Sequence, residues 1–211
     1  LSGVNDSITT GEVIEISIKN TDVRSKDYSF LPHQPRPGHQ DMVMMMKTDG
    51  NADLRGGGTS SARLTAPIVA AAAIIAPIIS YLKITINAHV SSIGAINSKP
   101  ISACPEKWAT ETCQAIRCRD PESAKEMAKI IEQSRMNLDS IGSEVELQIS
   151  GMPIGIGEPW FDGIEPYLAR TMMSIPAARG VEFGEGFSVV RMTGSEHNNP
   201  WGGDKENPIM L

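Results

Sequence analysis

The chain has 211 residues, enough to bury a substantial core as one domain, and carries a net charge of −6 with an isoelectric point near 5.3. That balance excludes a nucleic-acid surface of the usual basic kind. It leaves room for a locally basic anion site, because Arg24, Arg36, Arg55 and Arg63 all fall in the first third.

From the N-terminus, Ile14, Ile16 and Ile18 alternate with Glu15 and Ser17, which predicts a half-buried strand. Residues 20–40 lack a period and are rich in proline and polar side chains, the composition of a long functional loop. A helix is expected from about Thr65, with Pro67 in its first turn and Pro77 kinking or ending it. Its apolar run, residues 68–79, is read as buried and as too short to span a bilayer. Ile84, Ile86, Ala88 and Val90 mark a second strand, with Thr85, Asn87 and His89 on its other face. Residues 100–119 are irregular and hold Cys104, Cys113 and Cys118, whose number and spacing fit reduced thiols better than a zinc motif or a disulfide set. Asp120 and Pro121 cap a helix with Ala124, Met127, Ala128, Ile131 and Leu138 near one face and Gly142 at its close. Val145, Leu147 and Ile149 mark another strand, with Glu144, Glu146 and Gln148 outward. Asp162 and Glu165 resemble a capping box for a helix striped by Ile164, Leu168, Met172 and Ile175. A last strand is expected around residues 186–192. This order favours sheets with helices on one side.

The chemistry concentrates in Arg55-Gly56-Gly57-Gly58-Thr59-Ser60-Ser61-Ala62-Arg63. Consecutive glycines let the backbone approach a ligand, and N–H groups and hydroxyls leading into a helix suit a phosphate-type anion. The arginines at either end add charge in a planar form suited to phosphate or carboxylate. His39, in Arg36-Pro37-Gly38-His39-Gln40-Asp41, is the histidine available for proton transfer; the bland alternative is a loop histidine bonded to backbone. Gly155-Ile156-Gly157 lacks the third glycine of a dinucleotide fingerprint and reads as a turn. His33, His89 and His197 read as structural or solvent-facing, residues 42–46 as methionine packing, and no cluster has metal-ligand spacing.

In chain order, the blocks at residues 1–4, 20–28, 36–41, 55–63, 155–162, 173–177, 180–187 and 194–198 resemble those of the chorismate synthase family. The resemblance implies an α+β fold, a β-α-β sandwich with antiparallel sheets packed around a central helical layer, and a homotetramer. It also implies a lyase of the shikimate pathway of aromatic amino acid biosynthesis. That reaction is a 1,4-elimination of phosphate from 5-enolpyruvylshikimate 3-phosphate to give chorismate. The cofactor is reduced FMN, joined by NADPH in members that also reduce the flavin. The setting is cytoplasmic, with no nucleic-acid or membrane partner.

Carried over residue by residue, the family's catalytic histidine is His39 and its substrate contacts are Arg36 and Arg63. Its flavin contacts fall on Thr59, Ser60, Ser61, Pro176 and Ala177. Thr59 stands where the family has arginine, and Leu64 where it usually has an acid. The family's Gly-Glu-Ser-His-Gly, arginine-histidine-aspartate and lysine-proline-threonine motifs have no counterpart here. Residues 1–211 are therefore expected to be a single domain, the central part of a larger one, inactive alone. The rival readings are an inactive flavin- or anion-binding fragment, a structural oligomer subunit, and, more remotely, a kinase-like phosphate binder.

Overall fold

The computed structural model describes residues 2–22, 24–56, 58, 60–206 and 208–210. They form an α+β arrangement of helices and antiparallel sheets in two compact units, residues 1–71 with 155–211, and residues 72–154.

The first unit opens with a hairpin of β1 (Val4–Asn5) and β2 (Ile8–Thr9). Its two turn residues, Asp6 and Ser7, both have positive φ, the geometry that matches strand twist in a two-residue hairpin. The strand expected at Ile14, Ile16 and Ile18 does not form. Ile14 and Ile16 are half-buried as their alternation suggests, and Ser2 N–H donates to the Glu15 carbonyl, but among the described residues no neighbouring strand completes a ladder. Helix α1 (Asp41–Lys47) carries the methionine run on the surface instead of in a core: Met42, Val43 and Met46 are exposed.

Ser61 Oγ accepts from Arg63 N–H and starts a single 3-10 turn that leads into α2 (Thr65–Tyr81). Pro67 lies in the first turn as expected, but the helix continues through Pro77, forgoing one backbone bond. The expectation of a short, buried helix is also overturned. None of its residues is buried, Ile68, Val69, Ile75 and Ile78 are exposed, and residues 62–81 are long and apolar enough to cross a bilayer by length and composition.

In the second unit, β3 (Thr85–Ile93), β4 (Ile96–Asn97) and, after the helices, β5 (Ser143–Ser150) form an antiparallel sheet in the order β4-β3-β5. Residues 100–119 are less irregular than their composition suggests, since Thr110 Oγ1 caps α3 (Glu111–Ile116) by accepting from Cys113 N–H. Asp120 caps α4 (Pro121–Met136) as expected. The core joins Ile93, Cys113, Cys118, Ala124 and Met127, with Trp108, Ile116, Ile130 and Ile141 packed around them. All three cysteines are free, and burial pushes the Cys104 and Cys118 thiols up. Leu138 is not part of the buried stripe. Helix α4 ends at Met136, and Leu138, in the left-handed region, is almost fully exposed, so Gly142 does not terminate it.

The sheet turns over the expected faces. Ile86 and Val145 are exposed, whereas His89 is buried. His89 Nδ1 accepts from Arg119 N–H, so Nε2–H donates to Glu146 Oε2, 3.0 Å away, which also accepts from Ile101 N–H.

Back in the first unit, α5 (Ile164–Met173) starts from Gly163 with no side-chain cap, and Asp162 accepts from the Tyr167 hydroxyl instead of capping. Residues 186–191 form a 3-10 helix, not a strand, after the positive-φ turn at Gly184 and Gly186. The chain ends in a hairpin of β6 (Trp201–Gly203) and β7 (Pro208–Met210).

Candidate active site

Arg36, Pro37, Gly38 and His39 make a tight turn. Pro37 fixes its first corner, Gly38 supplies φ +67° at the second, and His39 N–H donates to the Arg36 carbonyl at 3.3 Å. The turn delivers Arg36 and His39 to one carboxylate, that of Asp41 in the first turn of α1. Asp41 Oδ2 accepts from Arg36 N–H at 3.1 Å and from Arg36 Nε at 2.8 Å. Oδ1 accepts from Arg36 Nη2 at 2.9 Å and lies 2.7 Å from His39 Nδ1. Asp41 is only 8% exposed. The hydrogen bonds from Arg36 hold its carboxyl well below the usual carboxylate range, outweighing the opposite push of burial. The same pairing raises Arg36, whose guanidinium lies 5.5 Å from the Tyr28 ring centroid.

Tyr28 also touches the glycine-rich loop. Gly56 has φ +79°, and a Cβ there would overlap the Tyr28 ring. An alanine at this position meets both a steric overlap and a strained backbone. Gly56→Ala is expected to destabilise the loop by about 1–3 kcal/mol and to loosen Tyr28. Tyrosine fluorescence anisotropy and thermal unfolding of the variant would measure both effects.

The rest of the loop redistributes the expected roles. Arg55 is clamped on Asp53 through Nε and Nη2, at 2.9 and 2.7 Å, so its charge is already matched, and Asp53 is lowered to about 2 by those bonds. Arg63 Nη1 donates to Asn20 Oδ1 and to the Asp22 carbonyl, which ties the loop to residues 20–22. Thr59 and Gly57 lie outside the described residues.

A cavity of about 390 Å³ is lined by Tyr28, Arg36, His39, Gly56, Ser60 and Ser61, among others. Four sequence-predicted residues, Arg36, His39, Ser60 and Ser61, thus meet in one place. Arg63, Pro176 and Ala177 are not among its lining; the last two occupy an exposed turn after α5, with Ala177 at φ +70°. Neither Asp41 nor Tyr28 stands out as a site residue by sequence pattern alone. The signal that could have found Asp41 is an arginine, a histidine and an aspartate bracketing a Pro-Gly turn. Among the described residues no group of histidine, cysteine or acidic side chains could hold a metal ion. The cavity therefore offers a cation fixed on an acceptor, one imidazole and the hydroxyls of Ser60 and Ser61, a set suited to an anionic ligand and one proton transfer.

A family model described as chorismate synthase matches residues 1–208. The chorismate synthase of Methanosarcina barkeri is 41% identical over 201 residues, 95% of this chain and 54% of that protein. That of Aeropyrum pernix is 40% identical over 202 residues, 95% of this chain and 53% of that protein. A solved structure, "Crystal Structure of Chorismate Synthase", superimposes with a TM-score of 0.69 at 28% identity, over 80% of this chain and 54% of that one. The chain spans about half the length of the curated relatives it matches.

Proposed function

The chain belongs to the chorismate synthase family, and from that premise we propose that it supplies the Arg36–His39 part of an enzyme that eliminates phosphate from 5-enolpyruvylshikimate 3-phosphate to give chorismate. The observation that carries this reading is the shared cavity of Arg36, His39, Ser60 and Ser61. A substrate bearing phosphate and carboxylates needs a fixed cation. Arg36 has Nε and Nη2 committed to Asp41, which leaves Nη1 for such a ligand. His39 is the group that holds or moves a proton, through the ring nitrogen not facing Asp41.

The residues also fit the family's flavin. Ser60 and Ser61 place hydroxyls on the cavity wall, and Tyr28, packed against Gly56, presents an aromatic ring on the same wall. Reduced FMN, when bound, supplies electron density to the departing-phosphate system. The chain's own part is to bind the anion at Arg36, to place Ser60 and Ser61 as neutral donors, and to balance the proton at His39. Thr59, Pro176, Ala177 and Arg63 complete the cofactor and substrate contacts in this reading, with NADPH involved where a member also reduces its flavin.

The finer architecture follows the same reading. Residues 1–211 form the central part of one larger domain, a sandwich of antiparallel sheets around a helical layer, in a cytoplasmic homotetramer. The uncovered α2 is then a layer helix whose apolar surface meets the rest of that domain, and not a membrane span.

The test is a chimera in which this chain replaces the matching segment of the Methanosarcina barkeri relative. With photoreduced FMN under anaerobic conditions it is expected to release phosphate and form chorismate together, in equal amounts. A folded chimera that binds FMN yet forms no chorismate would overturn the proposal.

A further inference from the structure

We infer that Asp41 is a positioning residue, one that fixes His39 in the Nδ1–H tautomer and so reserves Nε2 as the ring atom that exchanges a proton. The inference rests on His39 being the proton-transfer group of the proposed reaction. Asp41 is ionised and therefore only accepts hydrogen bonds. Its Oδ1 lies 2.7 Å from His39 Nδ1, a distance that requires a hydrogen between them. That hydrogen must be on Nδ1.

A competing assignment exists on the same ring atom. Arg36 Nη2 lies 3.2 Å from Nδ1 and could donate to its lone pair. Nδ1 would then carry no hydrogen, and its lone pair would face the Asp41 anion at 2.7 Å, which is repulsive. With Nδ1–H, both contacts are accounted for. The imidazole and the guanidinium converge on one oxygen, Oδ1, which lies 2.9 Å from Nη2. The Arg36–His39 approach is then two donors held side by side by a shared acceptor. Arg36 and Asp41 are the charged groups against this ring, and among the described residues Nε2 has no protein partner.

This differs from an ordinary loop histidine in consequence. Free neutral imidazole favours the Nε2–H form, which would offer a hydrogen where the proposed chemistry can also require a lone pair. A charge-assisted bond to Nδ1 shifts the balance toward Nδ1–H by about tenfold or more. The same carboxylate fixes Arg36 through three bonds, so the anion-binding cation and the proton-transfer group share one support.

The experiment is nitrogen-detected spectroscopy of the chain with its histidine ring nitrogens labelled, at a pH where imidazole is neutral. His39→Gln identifies the His39 signals, and His89 serves as an internal contrast because its Nδ1 accepts from Arg119 N–H. Wild-type His39 is expected as Nδ1–H and His89 as Nε2–H. In Asp41→Ala the His39 population should move about tenfold or more toward Nε2–H, with His89 unchanged, and Asp41→Asn should fall between. Nε2–H at wild-type His39 would overturn the inference without any variant. So would an unchanged tautomer ratio in Asp41→Ala with an intact amide spectrum. Because the readout is a nitrogen shift and not turnover, a negative result condemns the Asp41 assignment, whereas a silent chimera condemns the proposed activity.

Discussion

His39→Ala in the chimera is expected to lower kcat by about 10²-fold or more, the usual scale of a general acid–base contribution. The structure sharpens the expectation in two ways. Arg36 keeps its contacts to Asp41 when the imidazole is removed, so substrate affinity should change far less than kcat. The fold should also survive, because the His39 side chain is about a third exposed and packs into no core. A pre-steady-state measurement of chorismate formation at saturating substrate is the decisive check. An unchanged rate would remove His39 from the chemistry.

Met127→Ala is expected to carry a large stability cost, Met127 being the largest fully buried side chain among the described residues. Met127 is fully buried in α4, surrounded by Cys113, Cys118, Ala124 and Ile93. Truncating a large buried side chain costs about 2–5 kcal/mol, transfer and cavity together. For a chain of this size that corresponds to a fall of very roughly 4–20 °C in Tm. Leu138→Ala is the contrast. Leu138 is 97% exposed, and its replacement should stay within about 0.5 kcal/mol. Calorimetry of the two variants separates them, and equal losses would mean that the α4 stripe extends beyond Met136 after all.

That contrast also shows what the sequence could and could not convey. Met127 and Leu138 look equivalent in a helical projection, but the chain turns left-handed at Leu138. Nothing in composition marks that turn, since glycine would have been the usual signal and comes only at Gly142. Asp120-Pro121 was legible because a cap and a first-turn proline satisfy local backbone needs, independent of the rest of the fold. The places of β3 and β5 were legible from local alternation, but not the end of β3 at Ile93, the short β4, or the faces. A two-residue period tells which side chains share a face, and only tertiary packing decides which face is covered. For His89, read as structural or solvent-facing, packing settles on the structural role. The Asp162–Glu165 pair failed as a cap because Gly163 occupies that position. At the site, Arg36 and His39 were legible as residue types beside a Pro-Gly turn. Asp41 was not, because its role exists only once that turn folds both side chains back onto it.

The exposed face of the β3–β5 sheet has a consequence for how this polypeptide is made. Ile86 pairs with Ile149 and Ala88 with Leu147 across the strands, and Val145 extends the same face, yet Ile86 and Val145 remain more than half exposed. Water is a poor neighbour for such a ribbon of branched side chains, and another nascent chain carrying the same ribbon is a good one. Encounter between copies grows with concentration, whereas folding of a single chain does not. Slow synthesis at low temperature, or a holding chaperone, therefore favours recovery of folded material by keeping such ribbons apart.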